Sequence, residues 1–126
     1  MRIGAVAVLL VFVTPAFAAG VQTHVGECVT TRVLRVETRL MDGSTGQPMP
    51  GSGSGIEFVN GGYQVGYDQL PAVDGSRPGD PVKICLVSIP HGCPPGDKRG
   101  RTYRTTNLRT HGAWTLSDSE HSCGGA

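Results

Sequence analysis

The chain has 126 residues, and its 11 Lys plus Arg against 10 Asp plus Glu give a net charge of +1. This length suits one compact domain and is too short for two. The balanced charge gives no general reason to expect nucleic acid or an anionic membrane as the partner.

Residues 1–18 have the pattern of a secretory signal peptide. Arg2 precedes an apolar run from Ile3 to Val13, and Ala16-Phe17-Ala18 fits an A-x-A cleavage site. The run is shorter than the ~20 residues that cross a bilayer as a helix, so we expect no transmembrane anchor. The alternative is a buried N-terminal helix. We predict a single domain at 19–126, periplasmic or secreted, in which removal of Arg2 leaves ten cations against ten anions.

The four cysteines predict a disulfide framework. An even number of cysteines in an exported, loop-rich chain is typical of disulfide pairing. Four cysteines permit three pairings, and the sequence does not choose among them. We favour Cys28–Cys85, which joins two predicted strands, and Cys93–Cys123, which attaches the C-terminal tail to a loop.

Strand and turn patterns follow one another along residues 27–125. The stretch ECVTTRVLRVETRL, residues 27–40, alternates with one change of phase at Val33-Leu34, which indicates a bulge or bend. The Gly/Ser/Pro-rich segment 41–55 then reads as a surface loop.

A hairpin is predicted around Asn60-Gly61, because a type I′ turn favours this dipeptide. With those two residues as the turn, Phe58 faces Tyr63, Ile56 faces Val65 and Glu57 faces Gln64, so that apolar residues meet apolar partners.

The remaining elements complete an all-β prediction. Residues 82–90 (VKICLVSIP) are apolar on both faces and predict a central strand. A second hairpin is expected over 101–116, turning near 110–112, with Trp114 in the core. We find no amphipathic helix after residue 18. The predicted fold is a small antiparallel β-barrel or sandwich, stapled by disulfides.

Two His-x-Cys pairs raise an alternative for metal binding. His91, Cys93, His121 and Cys123 supply two nitrogen and two sulfur ligands, which suit tetrahedral zinc or copper. We favour a Cys93–Cys123 disulfide, which removes both thiolates, and we therefore expect no cofactor. Asp118, Ser119 and His121 are near neighbours in sequence and cannot be pre-organised as a catalytic triad on an irregular tail.

Basic residues cluster around the segment HGCPPGDKRGRTYR, residues 91–104. We expect this segment to be a stapled turn that displays cations, with a second basic set on the first strand. If the strand that begins near residue 101 is a neighbour of the first strand, the cations of the two strands form one positive face. The alternative is a solvated face with compensating acids elsewhere. The candidate binding residues are Lys98, Arg99, Arg101, Tyr103, Arg104 and Arg109, and the second set is Arg32, Arg35 and Arg39.

The last 50 or so residues resemble an uncharacterised group of small exported, cysteine-containing proteins from rhizobia-like bacteria. The motifs that carry the resemblance are RPGDPVKICLVSIP, CPPGDKRGR, TNLRT and DSEHSCGGA. The resemblance implies export and a Cys-bearing C-terminal half, and it brings no catalytic residue, ligand or partner.

These observations favour a non-enzymatic exported domain that acts by binding. An anionic polysaccharide, a lipid headgroup or an acidic protein suits the compartment better than nucleic acid. One alternative is an inhibitor of an exported hydrolase such as lysozyme, although the Ser-Gly-x-x-Tyr segment of such inhibitors is matched only by Ser54-Gly55-Ile56-Glu57-Phe58. The other is metal binding through the two His-x-Cys pairs.

Overall fold

The computed structural model describes Gly4, residues 8–11 and residues 20–125. Six antiparallel strands close into a barrel in the order β1-β2-β3-β6-β5-β4, which confirms the all-β prediction and selects the barrel. The expected cleavage site after Ala18 lies outside the described residues. The strands are β1 Cys28–Thr38, β2 Ser54–Phe58, β3 Tyr63–Gly66, β4 Pro81–Ser88, β5 Thr102–Asn107 and β6 Ala113–Ser117.

Alternating side chains fill the barrel interior. On β1, Val29, Thr31 and Val33 are buried while the residues between them are exposed, as the period of two requires. The predicted change of phase is confirmed, because the pairing of β1 with β2 shifts register between Val33 and Arg35. Residues 28–32 of β1 pair with β4 and residues 33–38 pair with β2, so one long strand borders two neighbours. The core consists of Val29, Val33, Ile56, Phe58, Val73, Val82, Ile84, Leu86, Tyr103 and Trp114.

The β2–β3 hairpin forms where it was predicted, but the predicted register is wrong by one residue. Tyr63 pairs with Glu57 and Gln64 pairs with Ile56. Only Gly61 has a positive φ, 88°, so the loop is a three-residue turn with a glycine bulge instead of the two-residue turn expected. A shift of one residue moves side chains to the opposite face, and it places Gln64 inside the barrel.

A single-turn helix, α1, spans Pro71–Asp74. Four residues are too few to show a helical period in the sequence. The helix packs against β1, β2 and β6 and buries Val73 completely. The hydroxyl of Ser54 accepts a hydrogen bond from the amide of Leu70 at 2.8 Å, so α1 closes the end of the barrel where β2 begins.

Both favoured disulfides are present. Cys28 and Cys85 face one another on β1 and β4, and Cys93–Cys123 joins the loop after β4 to the tail after β6. The amide of Cys123 also donates a hydrogen bond to the carbonyl of Arg99 at 2.9 Å. Two disulfides are typical of a protein outside the reducing cytosol. Among the described residues, no helix combines the length and the apolar character needed to cross a bilayer.

Candidate ligand-binding site at the barrel mouth

A pocket of about 330 Å³ opens at one end of the barrel. Phe58, at the end of β2, lines this pocket, whereas Ser54, at the start of β2, contacts α1. The pocket and the helix therefore lie at opposite ends of the barrel. The lining residues come from the segment before β1 (Val21 and Gln22), the β2–β3 turn, the loop before β5 and the residue after β6, together with side chains of the strands. Mouths of β-barrels are common positions for small-molecule sites.

The inner wall of the pocket is apolar. Phe58, Ile84 and Tyr103 come from three different strands, and each is at most 4% exposed. Val21 adds an exposed apolar side chain from the lead into β1. These side chains offer a surface for an aromatic or branched apolar group.

Two buried amide side chains add polarity to the inner wall. Gln22 donates a hydrogen bond to the carbonyl of Ile84, which fixes the lead segment against β4. Gln64 bonds to the side chains of Thr105 and Trp114 at 2.9 Å each. Because these contacts cross the barrel interior, they hold the base of the pocket in one arrangement.

A carboxylate lines one side of the pocket. Oδ1 of Asp118 accepts a hydrogen bond from the amide of Gly100 at 2.8 Å, and the amide of Asp118 donates to the carbonyl of Arg101 at 3.0 Å. Burial raises the pKa of Asp118, and the neighbouring amides and the charge of Arg101 act in the opposite direction. Burial also raises the pKa of Tyr103, with the charge of Asp118 as a smaller cause. Tyr103 therefore stays protonated at neutral pH.

Lys98 and Arg99 place positive charge on the pocket lining. Arg99 is held in place, because its guanidinium makes two hydrogen bonds to Asp97 at 3.0 and 2.9 Å and one to the carbonyl of Gly125 at 3.1 Å. This pairing holds the pKa of Asp97 well below its usual range. Lys98 has no carboxylate within 4.0 Å in the described part of the chain, so its charge is available to a ligand.

Of the other predicted binding residues, Tyr103 shares the pocket lining with Lys98 and Arg99, whereas Arg101, Arg104 and Arg109 are not among the residues that line it. Tyr103 points into the barrel interior, and the guanidinium of Arg101 donates to the carbonyl of Gln22 at 3.2 Å. Arg104 is exposed on β5 beside Thr115. Arg109 lies after the end of β5, where it pairs with the buried carboxylate of Asp80.

The second basic set does not extend this site. β4 lies between β1 and β5, so the two basic strands are not neighbours and the predicted positive face is not formed. Arg35 pairs with Glu57, Arg39 pairs with Glu120, and Arg32 donates to the carbonyl of Gly79.

The residues proposed for the metal alternative lie around a disulfide. Cys93 and Cys123 are bonded to one another, so in this state neither sulfur is a free thiolate beside His91 or His121. Within residues 4, 8–11 and 20–125, no three His, Cys, Asp or Glu side chains are grouped so that they could hold a metal ion.

The segment that most nearly matches lysozyme inhibitors, Ser54 to Phe58, forms strand β2. Four of its five residues are buried, so the segment is part of the barrel wall and not an exposed loop.

Sequence reasoning missed the pocket because its residues belong to elements whose relative orientation was not known. A three-residue turn at 59–61 would have placed Gln64 inside, and this is the one signal in the sequence that could have revealed it. Nothing local in the sequence brings Gln22, Ile84 and Asp118 to one end of the barrel, because that requires the strand order.

Comparisons of the chain with protein-family models, with curated proteins and with solved structures found no match.

Proposed function

We propose that this chain is an exported domain that acts by binding, without catalysis, and that the barrel-mouth pocket takes an anionic, partly apolar group of its partner. The observation that carries the proposal is the position of Lys98 on the lining of a pocket with an apolar inner wall. Lys98 has no ion-pair partner among the residues that the structure describes. The pocket volume, about 330 Å³, favours a small ligand or group over the extended surface of a polysaccharide.

Export is supported by the pattern of residues 1–18 together with the two disulfides. We place the protein in the periplasm or the external medium. In either place it would meet small anionic metabolites and the acidic components of the cell envelope.

The test compares 3-phenylpropionate with its neutral analogue 3-phenylpropan-1-ol by calorimetric or NMR titration. We expect the carboxylate to bind about three- to fivefold more tightly at low salt, the range of a partly exposed charge pair. The advantage should shrink as salt is added, because exposed charges are screened. Lys98→Gln should abolish it, whereas Lys83→Gln, on the exposed face of β4, should not.

Equal affinity for the acid and the alcohol, unchanged by Lys98→Gln, would contradict the proposal. So would binding of both probes outside the pocket.

A further inference from the structure

Asp118 is a partly buried carboxylate in the pocket lining without an ion pair. In the described part of the chain, no nitrogen of Lys, Arg or His lies within 4.0 Å of its oxygens. The amide of Gly100 donates a hydrogen bond to it, yet burial still raises its pKa. A buried charge that is incompletely compensated is costly, and a cationic or donor group placed against it would recover part of that cost.

The charge of Arg101 acts on this carboxylate, but Arg101 does not form an ion pair with it. Its Nη1 donates to the carbonyl of Gln22 at 3.2 Å, and its Nε is buried without a hydrogen-bond partner in the described structure. Its charge favours the ionised form of Asp118 only from a distance.

Positive and negative groups both line the pocket. Lys98, Arg99 and Asp118 are lining residues, and the amide of Gly100, which follows Arg99, donates a hydrogen bond to Asp118. A ligand with a carboxylate alone would bind to Lys98 and leave Asp118 without a cationic partner. A head group with adjacent opposite charges would satisfy both.

We propose that the pocket binds a free α-amino acid with an apolar side chain, its carboxylate toward Lys98 and its ammonium toward Asp118. The side chain would lie against Phe58, Ile84 and Tyr103, which form the apolar inner wall. This inference rests on the proposed function, and it adds that the ligand carries an ammonium as well as a carboxylate. The pocket volume, about 330 Å³, is at the small end of the range for ligand sites and suits such a molecule.

The experiment measures dissociation constants of L-phenylalanine, 3-phenylpropionate and 2-phenylethylamine by NMR titration of the disulfide-bonded protein. The second probe is phenylalanine without its ammonium, and the third is phenylalanine without its carboxylate. We expect phenylalanine to bind about tenfold more tightly than either, since a charge-assisted hydrogen bond is lost in each. Asp118→Asn should remove the advantage over 3-phenylpropionate. Asp68→Asn, an exposed control outside the pocket, should preserve it.

Each outcome tests one or both of the two proposals. Binding of 3-phenylpropionate as tight as that of phenylalanine overturns the amino-acid ligand and leaves an anion-binding pocket. Binding of 2-phenylethylamine as tight as that of phenylalanine removes the role of Lys98 and overturns both. Absence of binding by all three probes also overturns both. If Asp118→Asn does not fold, the three affinities of the natural chain still distinguish the two proposals.

Discussion

Oε1 of Gln64 accepts a hydrogen bond from Nε1 of Trp114 at 2.9 Å in the barrel interior. This contact joins β3 to β6, two strands that share a single paired position, Val65 with Ser117. Nε2 of Gln64 donates to Thr105 on β5, so one amide connects three strands. The side-chain bonds therefore reinforce the barrel where its backbone ladder is shortest.

Replacement of Gln64 by Leu should destabilise the protein by about 2–3 kcal/mol, because it leaves the indole N–H of Trp114 and the hydroxyl of Thr105 buried without this partner. Denaturant unfolding followed by the fluorescence of the single tryptophan measures the loss. Gln47→Leu, on an exposed loop, is the control and should change stability by less than about 0.5 kcal/mol. Equal stability of the two variants would show that the bonds of Gln64 contribute nothing net.

The β2–β3 hairpin shows how far the sequence could be interpreted. Apolar pairing and the Asn60-Gly61 signal located the hairpin correctly, since both are local properties. The register depended on the backbone torsions of Asn60, which differ between a two-residue turn and a three-residue turn with a glycine bulge. The apolar pairs Phe58–Tyr63 and Ile56–Val65 supported the wrong one. The buried network of Gln64, which outweighs them, involves strands distant in sequence.

Asp80 should make stability depend on acidity. Its ion pair with Arg109 and a hydrogen bond from Asn107 hold the pKa of this carboxyl well below its usual value. The contribution of Asp80 to the free energy of unfolding is therefore present above the ordinary pKa of aspartate, about 4. It is lost as the pH falls through the lower pKa that this carboxyl has in the folded state. Asp80→Asn should lower the melting temperature most at pH 6 and progressively less toward pH 2.5.

Thermal unfolding monitored by circular dichroism at a series of pH values checks this prediction. Asp68→Asn is the matched control, since Asp68 is exposed on a loop. A constant difference between the natural chain and Asp80→Asn across the series would contradict the charged role of this carboxylate.

Gly53 should tolerate no side chain. Its φ is 123°, and a Cβ at this position would overlap the carbonyl oxygen of Gly66, a backbone atom. Gly79 also has a positive φ, 89°, but the space around it is open. Gly79→Ala should cost about 1 kcal/mol from backbone strain, whereas Gly53→Ala should cost clearly more, since steric overlap is added. Equal losses in denaturant unfolding would refute the close approach of the two backbone segments.

The Cys93–Cys123 disulfide should stabilise both the fold and the pocket lining. It closes a loop of 30 residues, so its removal should cost about 3–4 kcal/mol in the chain-entropy account. The double variant Cys93→Ser, Cys123→Ser should also bind 3-phenylpropionate more weakly, because the tail that holds Arg99 is released. Denaturant unfolding and titration measure the two effects. If the affinity for 3-phenylpropionate is unchanged while stability falls, the C-terminal tail does not contribute to the binding site.

The sequence predicted this disulfide but not its connection to a pocket. Cysteine number and strand patterning are properties of composition and of short segments, so an all-β fold with two disulfides could be anticipated, whereas the cysteine pairing was a preference among three possibilities. The site forms because Gln22, the β2–β3 turn and Asp118 lie together at one end of the barrel, and no local sequence pattern encodes that arrangement. Lys98 and Arg99 were identified by charge alone, and Arg109 was included for the same reason although it lies elsewhere.

The most direct test of the binding pocket is residue-resolved NMR of the natural, disulfide-bonded chain titrated with 3-phenylpropionate. We predict saturable shifts of the backbone amides of 60–64, 98–100 and 118, with little change around α1 at the opposite end of the barrel. Shifts that avoid these residues, or that are confined to the exposed loop at 41–53, would contradict the binding role of this pocket.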